Sequence, residues 1–497
     1  MSFVKQLAGE TVIYGISNIL SRVVFFIFLT GYLTRVFQDQ AQYGIHQDLY
    51  AYMALLLIVF TYRMETAYFR MGSEKEIENK AFYSALTSII TTTIFFSGIM
   101  LLFRHQIASL LQYANKSIYV VYMILIISLD ALAAIPFARL RLQNRPLRFA
   151  FIKVINVFVM VFLVVFFLEF CPYMIQKGYP FFEKIYHPNR QIDLVIIANI
   201  ISSAVVLIML LPLILKTPFQ FDGKLLLKMS LYLLPLIIVS LAATFNQSFS
   251  VPLLKYLLPA DKEANLSSAG VYAAGAKLAL IMNLFTQAFT YAAEPFFFKR
   301  SMDHNAQEIY ADVAQAFSLV ASVVMLGILL YLDSVIIYLL GPAYRSGVYV
   351  VPLLLLAYWF LGLYYNFSLW YKIKDKTYMG AIISVGGALI TLVLTVVLIP
   401  RYGSIGMAWA TLACYFFMTL ASYFTGSIYY PVPYHMKRII GYLLFTFLLY
   451  AINETVKYLL HPGLILQIII STILLSAFVG IIYRTDKEKI LSWIGQK

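Results

Sequence analysis

Two basic residues occur inside apolar stretches, too far from any turn to reach water. Arg22 lies in the middle of one stretch, and Lys277 lies well inside another. A charge there costs about 3 kcal/mol on insertion scales, so each should face a wet cavity or an opposite charge. Cations in a cavity favour an anionic ligand, most simply a phosphate or pyrophosphate. The alternative is a structural ion pair with Asp130, which lies midway along a third apolar stretch.

Other polar side chains share helix faces with these two cations. Asn18 and Arg22 are four residues apart, and Asn283 and Gln287 have the same spacing with Lys277 at the edge of their face. These residues and one from the preceding stretch form the predicted cavity lining: Arg22, Lys277, Asn18, Gln247, Asn283 and Gln287.

Three further acidic residues have two interpretations each. Asp130 is either a structural counter-charge or an ion or charge relay. Glu65 and Glu294 precede basic residues at the ends of two apolar stretches, which fits either a symmetric intracellular gate or ordinary ion pairing. The predicted gate residues are Glu65, Arg70, Glu294 and Lys299.

The composition predicts an all-α integral membrane protein. The chain is 62% hydrophobic and 12% charged, about half the charge of a soluble domain. Its apolar runs recur at about 20 to 30 residues, enough to cross a hydrocarbon core of about 30 Å. About fourteen spans are predicted, near residues 11–34, 45–69, 82–103, 118–141, 149–169, 192–215, 229–251, 268–298, 313–332, 347–371, 378–399, 404–426, 437–456 and 464–483.

The basic residues predict the orientation. With the N-terminus inside, 22 Lys and Arg fall in inside turns and 11 in outside turns. The positive-inside rule therefore predicts that both termini are cytoplasmic. Arg63 and Lys153 lie near cytoplasmic ends, where snorkelling explains them. Because the basic residues occupy short turns, the net charge of +14 indicates contact with the phospholipid bilayer and not with nucleic acid.

Landmark residues in the two halves of the chain recur at nearly constant offsets. Gly44 and Gly270 are 226 residues apart, and Glu65 and Glu294 are 229 apart. Ser117 and Ser346 are also 229 residues apart, and Arg145 and Lys376 are 231 apart. A six-span repeat of equal orientation predicts two six-helix lobes related by a pseudo-two-fold axis along the membrane normal, with a cavity between them. The predicted divisions are an N-lobe at 1–216, a C-lobe at 217–428, and two extra helices with a cytoplasmic C-terminus at 429–497.

Short motifs along the whole chain resemble one known family. They are Leu33-Thr34-Arg35, Tyr43-Gly44, Gly270-Val-Tyr272, Ala276-Lys277, Ala292-Ala-Glu-Pro295, Leu340-Gly-Pro-Ala-Tyr344, Ile399-Pro-Arg-Tyr-Gly403 and Gly406-Met-Ala-Trp-Ala-Thr411. In their order and spacing, the chain resembles the Wzx-type polysaccharide (O-antigen) flippases of the multidrug/oligosaccharidyl-lipid/polysaccharide exporter superfamily. The two extra helices resemble the lipid II flippase branch.

The resemblance implies a function and a location. Such proteins move an undecaprenyl-pyrophosphate-linked oligosaccharide from the cytoplasmic to the periplasmic leaflet of the bacterial inner membrane, for surface polysaccharide or lipopolysaccharide biosynthesis. It also implies that Arg22 and Lys277 occupy the places of cavity cations for the pyrophosphate. We expect a monomer that works by alternating access, with other polysaccharide-assembly membrane proteins as candidate partners.

Three other functions are open from the sequence. A lipid II-type flippase and a MATE-like drug or cation antiporter would use the same scaffold, although a cation antiporter favours a carboxylate-rich cavity. A membrane glycosyltransferase or polymerase fits less well, because the outside connections are short. No metal, nucleotide or redox motif is present, so we predict no cofactor, no enzymatic activity and no direct use of ATP.

Overall fold

The structure is a computed structural model that describes residues 29–494 except 38, 73–75, 144, 217, 301, 302 and 375. The side chains at 235, 291, 292, 294, 295, 298, 299 and 491–494 also lie outside the description. The first predicted span, including Asn18 and Arg22, therefore lies outside the described residues except for its end.

The described chain is helical, as the composition predicts. Twelve of its helices are long and apolar enough to cross a membrane, or 13 when one bent pair is counted as a single span. Predicted spans two to fourteen each overlap a described helix.

The α-helices up to the middle of the chain are α1 Leu29–Val36, α2 Gln40–Thr61, α3 Met64–Met71, α4 Glu78–Leu102, α5 Arg104–Leu110, α6 Ile118–Leu142, α7 Pro146–Val165, α8 Cys171–Gln176, α9 Gln191–Leu215 and α10 Gly223–Ser248. The remaining α-helices are α11 Ser250–Leu257, α12 Lys262–Arg300, α13 Ala306–Tyr331, α14 Val351–Phe367, α15 Leu369–Ile373, α16 Thr377–Tyr402, α17 Ser404–Tyr429, α18 Met436–Leu460, α19 Leu464–Thr485 and α20 Lys487–Ile494.

The chain divides into two compact units. One unit comprises the chain up to Ala41 together with everything from Leu253 onward, and the other runs from Gln42 to Pro252. The described end of the first predicted span, α1, thus packs with the second half of the sequence. The unit that contains α1 is called the C-unit below, and the other is called the N-unit.

Burial differs widely among the spanning helices of the C-unit. In the most apolar stretch of α12 and of α13, two thirds of the residues are buried. In the corresponding stretch of α19, 11% of the residues are buried. On α19, Ile465 and Ile473 are 77% and 60% exposed. Because apolar residues all round a helix require an apolar surrounding, the exposed face of α19 is suited to contact with lipid chains.

The α-helical path is broken at defined places. Tyr62 and Arg63 both have left-handed φ values, 35° and 62°, and this break separates α2 from α3. Residues Phe166–Phe170 form a π-helical turn, and Pro342–Val350 form a 3₁₀ segment before α14. The two parts of α10 meet at 46° around residue 235, where a proline removes the backbone donor.

The two C-terminal helices α18 and α19 pack on α13. Their shared core contains Leu326, Leu330, Leu449 and Phe478. Hydrogen bonds fix the register: Ser471 Oγ donates to the Leu330 carbonyl at 2.9 Å. At the other end, Gln315 Nε2 donates to the Tyr442 hydroxyl at 2.8 Å, and Tyr442 donates in turn to Asp486, which also pairs with Arg438. The extra helices are therefore part of the C-unit.

We expect Gly362→Ala to destabilise the C-unit. A Cβ at Gly362 in α14 would lie 2.1 Å from Phe317 Cζ in α13, and overpacking a tight core costs about 1–3 kcal/mol. Gly327→Ala in α13 is the matched control, because a Cβ there meets nothing within 4 Å. The thermal unfolding midpoint of the purified protein should fall for Gly362→Ala only. An equal response of both variants would contradict the close helix contact.

Candidate functional site

Lys277 lies on α12 at the wall of a small cavity in the C-unit. The cavity is lined by Thr30, Gly31, Lys277, Leu278, Ile281, Leu339 and Leu340. Most of these side chains are apolar, so the field of the Lys277 amine is weakly screened at this wall. A protonated Lys277 would attract an anion there. Arg22, its predicted companion, lies outside the described residues.

A close contact that we call the outer seam adjoins the cavity. It joins Thr34 of α1 and the following Phe37 to Gly341 and Tyr344 of the connection between α13 and α14. Gly341 N donates to Thr34 Oγ1 at 3.0 Å, and the Tyr344 hydroxyl is 3.0 Å from the carbonyl oxygen of Phe37 and 3.2 Å from that of Asp39. Leu339 and Leu340, which line the cavity, directly precede Gly341.

Glycine allows the backbones to touch at the outer seam. A Cβ at Gly341 would lie 1.9 Å from the Thr34 carbonyl oxygen, a distance that no side chain can occupy. A second contact joins α12 to the 3₁₀ segment, where a Cβ at Gly275 would lie 2.0 Å from the Gly347 carbonyl oxygen. The sequence motifs around Thr34, Gly275 and Gly341 are therefore brought together beside Lys277.

Two predicted cavity residues on α12 have different surroundings. Asn283 is 3% exposed, so it belongs to the interior of the C-unit, whereas Gln287 is partly exposed. Thr286, which sequence reasoning did not select, is fully buried next to Gly362. Gln247, at the end of α10 in the N-unit, is exposed. Within the C-unit, Asn283 and Gln287 are not among the residues that line the Lys277 cavity.

Asp130 lies in the N-unit with a hydrogen-bonded partner. Its Oδ1 accepts a hydrogen bond of 2.8 Å from Ser203 Oγ on α9. Asn199, one turn before Ser203, donates to the Tyr50 hydroxyl on α2 at 2.5 Å. Lys153 of α7 is within electrostatic reach of Asp130 and lies 4.2 Å from the centre of the Phe137 ring. Asp130 is thus part of a polar cluster contributed by four helices.

A second polar cluster lies near the start of α2. Asp48 is fully buried and accepts a hydrogen bond of 2.8 Å from the Tyr113 hydroxyl. Burial and the neighbouring Asp48 carboxylate raise the pKa of Tyr113 above its usual range, so the phenol stays a proton donor. His46 is 4% exposed, and its ring centre is 4.5 Å from that of Tyr50. The sequence did not single out Asp48 or His46, because a few polar residues at the start of a spanning helix are typical of the membrane–water interface.

The predicted gate residues of the first half both have described partners. Glu65 pairs with Arg63 at 3.2 Å, across the break between α2 and α3. Arg70 lies over the Tyr232 ring, 4.4 Å from its centre. Glu294 and Lys299 lie on α12, and their side chains are outside the described ones. The sequence suggested snorkelling for Arg63, whereas in the structure it is also the ion-pair partner of Glu65.

Two basic residues that the sequence placed in turns are buried. Arg139 is 6% exposed; it lies 3.3 Å from Glu78, donates to Asn79 at 2.7 Å and covers the Phe82 ring. Lys255 in α11 is 1% exposed, with its amine 4.7 Å from the centre of the Tyr256 ring. Only tertiary packing reveals these positions, because turns between spans are normally rich in exposed basic residues.

Solved structures share the fold of this chain, although no sequence match is found. No family pattern matches the chain, and no curated protein matches it in sequence. Among solved structures, the lipid II flippase MurJ in an inward closed conformation is 16% identical with a TM-score of 0.73, over 95% of this chain and 99% of that one. An outward-facing MATE family transporter of the MOP superfamily is 12% identical with a TM-score of 0.60, over 89% and 99%. The Vibrio cholerae MATE transporter VcmN in its bent form is 14% identical with a TM-score of 0.56, over 89% and 98%.

These similarities establish the fold of the chain. It is a multi-pass membrane protein with the fold of the MurJ flippase and the MATE transporters. These three proteins are a flippase and two transporters.

We expect Gly341→Ala to separate the outer seam and expose the cavity. The added Cβ cannot fit beside the Thr34 carbonyl, so the two backbones must move apart. A reporter cysteine, Ile281→Cys on the cavity wall, is introduced after Cys171 and Cys414 are replaced by alanine. A membrane-impermeant thiol reagent applied to intact cells should then label the Gly341→Ala protein several-fold faster.

Gly463→Ala serves as the control for this prediction, since a Cβ at Gly463 meets nothing within 4 Å. Labelling of inverted vesicles in parallel tests the predicted orientation. Unchanged labelling of a folded, membrane-inserted Gly341→Ala protein would contradict the role of the outer seam in closing the cavity.

Proposed function

We propose that this protein flips an undecaprenyl-pyrophosphate-linked oligosaccharide from the cytoplasmic to the periplasmic leaflet of the bacterial inner membrane. Its product would supply surface polysaccharide or lipopolysaccharide synthesis. The observation that carries the proposal is the Lys277 cavity, which places a cation inside the membrane in a fold that a lipid II flippase shares over nearly its whole length.

The chemistry of the cavity favours an anionic headgroup. A lysine is a compact charge that binds phosphate without fixed geometry, which suits a ligand that must be released again. The apolar neighbours Leu278 and Ile281 reduce screening and strengthen the attraction. The oligosaccharide would cross with the pyrophosphate while the prenyl chain remains in lipid, where a polyisoprenoid is favoured.

In the proposed cycle, the substrate path opens alternately to the two sides of the membrane. Residues 1–216 and 217–428 are the two moving lobes, and both termini are cytoplasmic. The outer seam would close the periplasmic side while the headgroup enters from the cytoplasm. Arg22, Asn18, Gln247, Asn283 and Gln287 remain candidates for the substrate path, and Glu65, Arg70, Glu294 and Lys299 remain candidates for the cytoplasmic gate. We propose a monomer that hands its product to other polysaccharide-assembly proteins.

Two other transport functions use the same fold. A lipid II-type flippase would bind the same pyrophosphate and differ only in the attached sugar. A drug or cation antiporter like the MATE transporters is favoured by one observation, the intramembrane carboxylate Asp130. The flippase is preferred because Lys277, the charge that faces the cavity, would repel a cationic drug.

Lys277→Ala should abolish the proposed activity. We expect surface polysaccharide to fall by about tenfold or more, the scale of a lost charged contact, while the undecaprenyl-linked unit accumulates on the cytoplasmic side. The measurement is the lipid-linked pool and the surface polymer in a deletion strain that expresses each variant. Lys277→Arg keeps the charge and should restore part of the activity, and Arg22→Ala should behave like Lys277→Ala.

The matched control is Lys224→Ala, which removes an exposed lysine from the start of α10. It should support normal surface polymer. Normal polymer and normal lipid-linked pools in the deletion strain, combined with altered sensitivity to cationic drugs, would reject the flippase and support the antiporter.

A further inference from the structure

A second small pocket of the C-unit, which we call the α12–α14 pocket, lies further along α12 than Lys277. Thr290 on its wall is thirteen residues after Lys277, which corresponds to about 20 Å along a helix axis. The basic residues at this end of α12 predict that it faces the cytoplasm. The wall of the pocket includes Phe289, Thr290 and Phe297 of α12, Tyr365 and Asn366 of α14, and Lys372 of α15.

Asn366 gives the pocket a buried hydrogen-bond acceptor. Its side chain is 3% exposed, and its amide nitrogen donates to the Gly362 carbonyl at 2.9 Å. This bond fixes the orientation of the amide and leaves Oδ1 without a donor among the described residues. Thr290 uses its own proton in a 2.9 Å bond to the Thr286 carbonyl, so its hydroxyl oxygen is a second acceptor. Because a buried acceptor without a donor is unfavourable, a ligand that brings hydroxyl groups suits this wall.

Aromatic rings form another part of the wall. The Phe289 ring packs against Phe317, with 4.8 Å between ring centres, and the Phe297 ring packs against Tyr310 at 5.1 Å. Phe289 and Tyr365 are partly exposed. Aromatic faces are electron-rich and attract C–H groups. A hexose ring presents C–H groups on one face and hydroxyls at its edge, whereas a hydrocarbon chain would leave the Asn366 oxygen without a donor.

The size of the pocket limits what can enter it. Its free volume is about 10 Å³, roughly the space that one water-sized group needs. One hydroxyl of a sugar therefore fills the pocket, and the sugar ring remains at the mouth, where Phe289 and Tyr365 are partly exposed.

Three lysines follow one another at the α15 side of the pocket. Lys372 lines the pocket and is partly exposed. The amine of Lys374 lies 5.3 Å from the centre of the Tyr430 ring, and that of Lys376 lies 3.7 Å from the centre of the Tyr429 ring. A phosphate attached to a sugar at the mouth would therefore lie in the field of several positive charges, with the Lys372 amine as its direct ligand.

We propose that the α12–α14 pocket captures the junction between the first sugar and the pyrophosphate of the substrate on the cytoplasmic side. A sugar hydroxyl donates to Asn366 Oδ1, the C–H face of the sugar packs on Phe289 and Tyr365, and the Lys372 amine binds the adjacent phosphate. This inference rests on the proposed function and adds a binding step before the Lys277 cavity. Polyprenyl pyrophosphate without a sugar has no such hydroxyl, so the pocket selects carriers that are already loaded.

The two sites on α12 differ in what they can recognise. Besides Lys277, the polar side chain that lines the Lys277 cavity is Thr30, so that cavity binds negative charge and contributes little to recognition of a sugar. The α12–α14 pocket combines an amide oxygen, aromatic rings and a lysine. The preference for a sugar should therefore depend on Asn366 and be independent of Lys277.

The test measures equilibrium binding to the purified full-length protein in detergent. The probes are farnesyl pyrophosphate and farnesyl pyrophosphate linked to glucose. The linked probe carries less negative charge, so charge alone would favour the other probe. We expect the wild type to bind the linked probe several-fold more tightly and Asn366→Leu to lose this preference. Lys372→Gln should weaken binding of the linked probe by about tenfold, the scale of a lost charged hydrogen bond.

Two further variants serve as controls. Lys437→Gln removes an exposed lysine at the start of α18, on the same predicted side of the membrane, and should bind both probes like the wild type. Lys277→Ala should keep the preference for the linked probe. Thermal unfolding of each variant identifies a failure to fold, and Lys372→Gln decides the test if Asn366→Leu does not fold. Equal affinity of the wild type for the two probes would overturn the proposal, as would wild-type binding by folded Asn366→Leu or Lys372→Gln.

Failure of this inference can be distinguished from failure of the proposed flippase. In the deletion strain, wild-type polymer from Asn366→Leu and Lys372→Gln, with unchanged probe binding and no polymer from Lys277→Ala, would leave the flippase intact and reject the pocket. Normal lipid-linked pools in the deletion strain, together with an Asn366-dependent preference for the linked probe, would retain the pocket as a sugar–phosphate site and reject the flippase.

Discussion

In hydrocarbon, an unpaired backbone N–H or C=O costs several kcal/mol, and this constraint determines where the chain can leave the α-helix. The 3₁₀ segment Pro342–Val350 is one such departure in the C-unit. It is tolerated because Gly341 N donates to Thr34 and Tyr344 N to the Gly341 carbonyl. The segment needs α1 as its partner, and the glycines let the two backbones approach closely enough. The shape of the Lys277 cavity follows from this contact, since the same connection supplies part of its wall.

The same constraint applies more strongly to charged groups. Lys277 and Asp130 belong to different compact units, and the described hydrogen-bond partner of Asp130, Ser203, lies in its own unit. A relay role and a structural role for Asp130 are therefore both compatible with its position.

The sequence was sufficient for the fold class and for most helices, but not for the contacts that define the site. Hydrophobic runs of spanning length identify helices such as α16 and α19 to within about three residues at each end, because the bilayer imposes both length and composition. Side-chain partners depend on how those helices pack. The position of Glu65 before Arg70 fitted either a gate or ordinary ion pairing, and the left-handed break at Tyr62 and Arg63 makes Arg63 an ion-pair partner of Glu65 that the sequence did not indicate. The Thr34, Gly341 and Tyr344 motifs were visible in the sequence, but their contact across some 300 residues was not.

The break between α2 and α3 can be compared with the corresponding positions of the predicted repeat. With an offset of 229, Tyr62 and Glu65 correspond to Tyr291 and Glu294, while Arg63 corresponds to Ala292. Helix α12 continues through these positions to Arg300, so the break is confined to the first copy. Two successive left-handed residues with Cβ atoms cost about 1–2 kcal/mol each, and the Arg63–Glu65 pair and the 2.5 Å contact of Tyr62 with Ser88 offset part of that cost. Alanine at position 292 could not form such a pair, which gives a local physical reason why the second copy keeps a continuous helix. Glu65 and Glu294 therefore lie on backbone segments of different shape, and a gate built from them would be symmetric in sequence but not in structure.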